Sequence, residues 1–263
     1  MIKLGLSGRI IETADGYQMP TGDFIRFAAD IGYECVELRP KGQVTPETTD
    51  QEVAEIRATL DEAEVVCAFI TSSAPQTEEA MPAVERVCEI AVGLGCGNIR
   101  VGVTEVAWVQ RACDLAAKHG LNLVAQTHTG SPLETVEGAL DTCEQVGRDN
   151  FGVAYEPGNF VLAGRDYGLP ALQQLGDRLF SISLQNIKPV PQVEGEGIIV
   201  YRDRGFRRCK IGDPEGVDFE EVFEALHAVG YEGCATLIEP ISDVMDNRQL
   251  ARFAFDKLHP LCV

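Results

Sequence analysis

The stretch from Leu121 to Asn159 constrains the fold more than any other part of the chain. It reads as a strand (LNLVAQTHTG), a helix (SPLETVEGALDTCEQVG) and a second strand (FGVAYEPGN). Two strands joined by a helix of this length are expected to lie parallel, because a parallel pair needs a crossover connection. Polar residues follow both apolar runs. We therefore expect Gln126, His128 and Glu156 to lie at one carboxyl-terminal sheet edge.

The same alternation of strand and helix continues along all 263 residues. The other predicted strands are IKLGLSG, CVELRP, VVCAFITSS, NIRVGV, FSISLQN and CATLIEP, and the other predicted helices cover about 21–32, 48–64, 77–94, 105–119, 170–179, 218–230 and 247–258. Such alternation implies a parallel sheet. Eight units of roughly 30 residues favour a closed (β/α)8 TIM barrel, built as one domain over residues 1–263.

An open doubly wound sheet is the structural alternative. Its usual mark is a glycine-rich first turn, G-x-G-x-x-G, which binds a dinucleotide. The first turn here is LSGRIIET, which does not match this pattern. The sequence therefore favours the barrel.

Composition limits the partners of the chain. The net charge of −19 argues against nucleic acid or an anionic membrane, since both need a basic surface. The nine cysteines are scattered without a C-x-x-C pair, which is typical of core residues in a reducing compartment. We see no signal peptide and no apolar run of membrane length. These features predict a cytoplasmic protein whose partner is a small molecule.

Four polar residues end four consecutive predicted strands, namely Gln126, Glu156, Gln185 and Glu239. The spacings are 30, 29 and 54 residues, so the first two equal one unit and the third adds a long insertion. In a barrel these side chains would face one mouth. Two carboxylates and two amides form an oxygen shell that suits Mn²⁺ or Mg²⁺, with Zn²⁺ or Co²⁺ as alternatives. A single glutamate of this kind is more often a surface charge.

Other polar residues near the predicted mouth are candidates for catalysis or substrate binding. The catalytic candidates besides Glu239 are His128 and Lys188, and the substrate-binding candidates are Glu37, Arg39, Arg100, Asn159 and Arg207. Glu37 could orient a hydroxyl group or pair with Arg39. The basic stretch YRDRGFRRCK, which contains Arg207, reads as a flap for an anionic substrate, a solvated hairpin or a contact with another subunit.

At these residues the chain resembles the xylose-isomerase-like barrel family of sugar isomerases, epimerases and related lyases. The motifs are E-L after the second strand, Q-x-H in the fifth, E-P-G-N after the sixth, G-x-x-x-x-V-D-F before the seventh helix, G-Y-x-G after it, and the final E-P. Each motif is weak alone, but their order and spacing are fairly specific. The resemblance covers nearly the whole chain.

The resemblance implies one divalent metal, held by Glu, Asp, His and Glu on the fifth to eighth strands. Here Gln126, Glu156 and Gln185 replace the first three ligands. Glutamine at the third position also occurs in the hydroxypyruvate-isomerase-like and dehydroshikimate-dehydratase-like branches. An amide cannot accept a proton at neutral pH. Gln126 therefore cannot supply the second base that epimerising members use, and loss of a charge should weaken metal binding.

These observations lead to three functional hypotheses. The first is a metal-dependent isomerase or epimerase that acts on a sugar or small hydroxy-carbonyl compound through a one-base enediolate mechanism, with Glu239 as the base and His128 or Lys188 as the second proton carrier. The second is a dehydratase acting on a cyclic hydroxy-ketone. The third is a non-catalytic sugar-binding barrel with a degraded metal site. The resemblance also implies a homo-oligomer.

Overall fold

The computed structural model describes residues 1–238 and 244–263. Its strands are β1 (Lys3–Ser7), β2 (Glu12–Thr13), β3 (Gly16–Tyr17), β4 (Cys35–Leu38), β5 (Val66–Thr71), β6 (Asn98–Val101), β7 (Asn122–Gln126), β8 (Phe151–Tyr155), β9 (Leu179–Leu184), β10 (Ile187–Val190), β11 (Ile198–Tyr201), β12 (Arg204–Arg208) and β13 (Cys234–Leu237). Eight of them close into a barrel in the order β1-β13-β9-β8-β7-β6-β5-β4. All neighbouring pairs in the barrel are parallel.

Helices connect the barrel strands. They are α1 (Thr21–Ile31), α2 (Asp50–Glu62), α3 (Met81–Leu94), α4 (Val106–Lys118), α5 (Val136–Val146), α6 (Pro157–Ala163), α7 (Leu169–Leu175), α8 (Phe219–Ala228) and α9 (Asn247–Leu258). The predicted (β/α)8 barrel is therefore confirmed, and the open sheet is excluded because β1 pairs with both β4 and β13. None of the described helices is long and apolar enough to cross a membrane.

Local sequence signals explain where helices begin and end. Helix α2 begins at a capping box. The Thr49 side chain accepts a hydrogen bond from the Glu52 backbone, and the Glu52 side chain accepts one from the Thr49 backbone. Helix α9 begins in the same way, with Asp246 and Gln249. The predicted helix over 131–147 starts later, at Val136, because the Thr135 side chain caps it by accepting from the Gly138 backbone.

The apolar stripes of the helices pack against the barrel in one continuous core. Phe24 on α1, Trp108 on α4 and Phe223 on α8 are almost fully buried there. All nine cysteines lie in the described residues, and seven of them are buried. The core thus rests on hydrophobic burial, worth about 25 cal/mol per Å² of apolar surface.

The connection 188–217 contains structure that the sequence did not predict. Strands β10, β12 and β11 form a three-stranded antiparallel sheet, which we call the arm (residues 187–208). Its tight turn places Arg202 and Asp203 at positive φ, of 49° and 61°. Phe206 and Ile187 of the arm are buried against Leu162 of α6. The arm is therefore packed onto the mouth of the barrel and is more than a solvated hairpin.

A single carboxylate fastens the arm to the loop after β7. Glu134 accepts hydrogen bonds from the Tyr201 hydroxyl, from the Arg202 guanidinium and, at 2.8 Å, from the Gly130 backbone. The hydrogen bond from Tyr201 is the main reason that the pKa of Glu134 lies below its usual range. This contact holds β11 and β12 over the carboxyl-terminal end of the barrel.

Candidate active site

A polar cavity of about 260 Å³ lies at the carboxyl-terminal mouth of the barrel. Its lining comprises Arg9, Arg100, Gln126, His128, Thr129, Glu156, Asn159, Leu162, Gln185, Ile199, Arg208 and Ile238. These residues come from six barrel strands or the segments just after them, from α6 and from the arm. Wider grooves of about 600 and 730 Å³ lie outside the barrel between α1, α2 and α3. Neither groove is lined by any of the predicted strand-end residues, so we place the site at the mouth.

Gln126 and Glu156 meet at this cavity as the strand spacing predicts. Gln126 ends β7, and β8 pairs with it so that Gln126 lies beside Ala154. The side-chain amide of Gln126 donates to Oε2 of Glu156. Gln185, directly after β9, lines the same cavity. Three of the four predicted strand-end residues are thus brought together, while Glu239 lies outside the described residues.

The backbone around Glu156 is held by its neighbours. Its amide donates to Oγ1 of Thr127 at 2.8 Å, and the Asn159 side chain donates to the Thr127 carbonyl at 2.9 Å. A Cβ at Gly158 would approach the Gln185 carbonyl to 2.8 Å, so the E-P-G-N motif needs glycine there. Helix α6 starts at Pro157, which suits a first helical position. The motif therefore fixes a rigid carboxylate at the mouth.

The environment of Glu156 changes its acidity. Only 2% of the residue is exposed. Burial raises its pKa to about 7, even though Arg100, Arg208 and Arg9 act in the opposite direction. A carboxyl group of this kind can gain and lose a proton near neutral pH, which is the requirement for a general acid or base.

A second buried carboxylate lies behind the cavity. Oε1 of Glu37 accepts from Arg100 at 2.9 Å, from Arg39 at 3.2 Å and from the Thr71 hydroxyl at 2.9 Å. Burial would raise the pKa of Glu37, but the charges of Arg100 and Arg39 outweigh it, and the pKa is lowered. Arg39 also bonds Glu12 at 3.2 Å. The predicted pairing of Glu37 with Arg39 is present, and neither residue lines the cavity, so we no longer assign them to substrate binding.

His128 lies at the rim of the cavity, two residues beyond Gln126. Its Nδ1 is 2.8 Å from the carbonyl oxygen of Thr129. A carbonyl oxygen can only accept, so Nδ1 carries the hydrogen. The neutral ring then has its lone pair on Nε2, which is available for proton exchange with a bound compound.

Two predicted site residues lie elsewhere. The Lys188 ammonium bonds Asp213 at 2.9 Å and Glu215 at 3.0 Å, which raises its pKa, and it does not line the cavity. It is therefore not placed to act as the predicted proton carrier in this cavity. Arg207 is exposed and donates to the Glu196 carbonyl at 3.4 Å.

Arg208 and Arg9 take the place predicted for Arg207. Neighbouring residues of a strand point to opposite faces, so in β12 only Arg208 reaches the cavity. Arg9 is the second residue after β1. The rule that identified Gln126 and Glu156, a polar residue just after a barrel strand, would have found Arg9 if applied to the first strand.

The donor set decides whether a divalent metal fits. Among the described lining residues Glu156 is the only carboxylate, and its Oε2 already accepts from Gln126. Three guanidinium groups, of Arg9, Arg100 and Arg208, share the cavity. The described residues include no group of three acidic, histidine or cysteine side chains suited to a metal ion. The described donors alone therefore do not fit Mn²⁺, Mg²⁺, Zn²⁺ or Co²⁺, and the fourth predicted ligand, Glu239, lies outside the described residues.

A negative charge at position 126 should increase the affinity of the site for a divalent metal. We expect Gln126→Glu to tighten Mn²⁺ binding about tenfold or more, because the affinity of a hard cation follows the charge of its oxygen ligands. Isothermal titration measures this, with Gln173→Glu on the exposed face of α7 as the control. Equal Mn²⁺ affinities in the two variants would show that the oxygens of residues 126 and 156 do not converge.

The fold and the cavity together define a TIM barrel with a polar, charged site at the end where such barrels carry their chemistry. The sequence profile described as xylose isomerase-like TIM barrel matches residues 25–259. The chain belongs to this family.

Individual proteins are similar to this chain in sequence or in fold. An inosose dehydratase of Geobacillus thermodenitrificans (strain NG80-2) is 30% identical over 142 residues, which is 49% of this chain and 46% of the relative, so the match spans about half of each protein. The probable 3-DHS dehydratase AsbF of Bacillus anthracis has a TM-score of 0.76 at 16% identity, covering 98% and 99% of the two chains. The IolI protein, solved with a zinc atom, has a TM-score of 0.74 at 15% identity, covering 99% and 96%.

Proposed function

We propose that this protein is a dehydratase that removes water from a small cyclic hydroxy-ketone by one-base chemistry. The observation that carries the proposal is the buried carboxylate of Glu156, which lines a polar cavity with an amide, Gln126, as its partner. An epimerase would need a second base on the opposite face of the carbon. Gln126 cannot be that base.

One carboxyl group is sufficient for the reaction. The Glu156 carboxylate takes the proton from the carbon beside the carbonyl, which leaves an enolate. The enolate then expels the hydroxyl group from the next carbon, and protonated Glu156 returns its proton to that leaving group. The products are an unsaturated ketone and water, and the carboxylate is restored.

The amide of Gln185 and the ring of His128 are placed to assist. Both line the cavity. The N–H groups of Gln185 can donate to the developing enolate oxygen, which is the kind of contact that stabilises an oxyanion. His128 can exchange a proton through Nε2 with the carbonyl or hydroxyl oxygen. Asn159, whose amide is held by Thr127, contributes to the wall against which the compound would pack.

The names of two similar proteins support a dehydratase. One is the inosose dehydratase that shares sequence with half of this chain, and the other is the probable 3-DHS dehydratase that shares its fold. Both names describe loss of water. Inosose and 3-dehydroshikimate are therefore the first compounds to test.

An aldose-ketose isomerase is the second candidate. His128 favours it, because a second proton carrier beside the first would let the enediolate be protonated at the neighbouring carbon. Metal dependence belongs to this second proposal, since a metal would polarise the carbonyl and hydroxyl pair. Glu239, the base that the sequence predicts, would then act in place of Glu156.

Incubation of each compound in heavy water separates the two candidates. A dehydratase gives a product that absorbs in the ultraviolet, whereas an isomerase incorporates deuterium into a saturated carbonyl product. The rate should rise with pH through about 7, because the Glu156 carboxylate must be ionised to accept a proton. A rate that is independent of pH between about 5 and 9 would contradict Glu156 as the base.

A further inference from the structure

Three guanidinium groups from distant parts of the chain face one small cavity. Arg9 lies just after β1, Arg100 lies in β6, and Arg208 ends β12 of the arm. Glu156 is the only acidic side chain in the described part of the lining. The cavity therefore concentrates positive charge in a chain whose net charge is −19. This cluster of positive charge is energetically unfavourable by itself, because like charges in a confined space repel one another.

Arg100 presents an unsatisfied donor in this cavity. The residue is only 8% exposed, and its guanidinium lies over the Phe69 ring at 5.1 Å. Nη2 donates to Glu37 at 2.9 Å, but Nη1 is buried and has no hydrogen-bond partner among the described residues. A buried donor without a partner is costly unless something else completes it. Nη1 is therefore positioned to bind a ligand.

Arg208 presents a second unsatisfied donor. Its Nε is also buried without a hydrogen-bond partner in the part of the chain that the structure describes. No salt bridge with a described carboxylate involves Arg208. The arm, fastened through Glu134, carries this residue to the cavity. Two residues of the cavity lining thus have a buried donor without an acceptor in the described part of the chain.

The carboxylates nearby offset this positive charge only in part. Glu37 is shared between Arg100 and Arg39, and Glu12 bonds Arg39. Burial, followed by the charges of Arg208 and Arg39, lowers the pKa of Arg9. The repulsion among Arg9, Arg208 and Arg39 adds to the effect of burial on Arg9, and a bound anion would relieve it.

We propose that Arg100 and Arg208 bind a carboxylate group of the substrate, so that the protein acts on a hydroxy-ketone acid. This inference rests on the proposed function, because it names the substrate class of the same site. A planar guanidinium matches a planar carboxylate with two parallel hydrogen bonds. A cavity of about 260 Å³ suits a compound of small size.

Binding of two matched probes tests the inference. Hydroxypyruvate and dihydroxyacetone carry the same hydroxy-ketone, but only hydroxypyruvate carries a carboxylate. We expect hydroxypyruvate to bind at millimolar concentration and dihydroxyacetone to bind at least about tenfold more weakly, because a charge-assisted hydrogen bond is lost. Isothermal titration gives both dissociation constants.

Neighbouring arginines of β12 supply the matched variants. Arg208→Gln should weaken hydroxypyruvate binding about tenfold or more and leave dihydroxyacetone unchanged. Arg207→Gln removes the same charge from the exposed face of the same strand and should change neither. Equal binding of the two probes, no binding of hydroxypyruvate, or equal effects of the two variants would overturn the proposal. Tighter binding of inorganic phosphate than of hydroxypyruvate would overturn the carboxylate assignment and indicate a phosphorylated compound.

The variant Glu156→Gln separates this inference from the proposed function. It lacks the proposed base but keeps the arginines, so it should bind hydroxypyruvate at least as tightly as the natural protein. Retained dehydration in this variant would contradict the proposed function and leave the carboxylate site standing. Arg100→Lys and Arg208→Gln keep Glu156 intact. Loss of hydroxypyruvate binding in these variants would therefore support the carboxylate site without testing Glu156 as the base.

Discussion

Glu156→Gln should be almost inactive and, above neutral pH, more stable than the natural protein. Loss of the general base should lower the turnover rate about a thousandfold. The amide keeps the shape of the side chain and removes a buried charge. The free energy of unfolding near pH 8 should therefore rise by roughly 3 kcal/mol, since the pKa of Glu156 lies near 7 instead of its ordinary 4.5.

The stability advantage of Glu156→Gln over the natural protein should increase with pH. The pKa of Glu156 is higher in the folded than in the unfolded protein, so its contribution to stability is fully present below about pH 4.5 and is lost as pH rises through about 7. The two proteins should be equally stable near pH 4. Urea unfolding at both pH values measures this, with the exposed Glu194→Gln as the control. A destabilised variant near pH 8 would mean that Glu156 holds the fold together.

Glu37→Gln should have the opposite effect, costing about 3–5 kcal/mol of stability near pH 7. Glu37 is fully buried and is the counter-charge for Arg100 and Arg39. Removing one partner of a buried ion pair leaves uncompensated charge, which is strongly destabilising. The pKa of Glu37 is lowered in the folded protein, so this contribution is present above about pH 4.5 and is lost as pH falls through the lowered value.

A double-mutant cycle separates the ion pair from other effects. Glu37→Gln, Arg100→Gln and their combination should show a coupling free energy above about 1 kcal/mol, since the two groups are 2.9 Å apart. The difference in the free energy of unfolding between the natural protein and Glu37→Gln should disappear at acidic pH. A cost below about 1 kcal/mol, or purely additive effects, would show that Glu37 does not organise Arg100.

The sequence predicted the barrel because its signals are local and repeated. Each apolar run followed by an amphipathic helix implies a parallel unit, and the helix over 247–258 was placed to the residue. Helix α6 was not predicted, because Pro157 and Gly158 read as a loop. The arm was not predicted either, since its three strands are short and pair only with one another.

The site was predictable where it follows the barrel register and not where it depends on the arm. Gln126, Glu156 and Gln185 occupy equivalent positions after neighbouring strands, so spacing was sufficient to bring them together. The choice between Arg207 and Arg208 depends on which face of β12 covers the mouth. The raised pKa of Glu156 depends on burial by residues from the whole ring, which no sequence spacing specifies.

The proposed chemistry depends on the raised pKa of Glu156, and carboxyl ¹³C NMR measures this pKa directly. Comparison of the labelled natural protein with Glu156→Gln identifies the resonance of this one carboxyl group. We predict a titration midpoint of about 7 in the protein without ligand. A carboxyl group that is already ionised at pH values near 5 would contradict the account, since it would be too weak a base to exchange protons with a substrate.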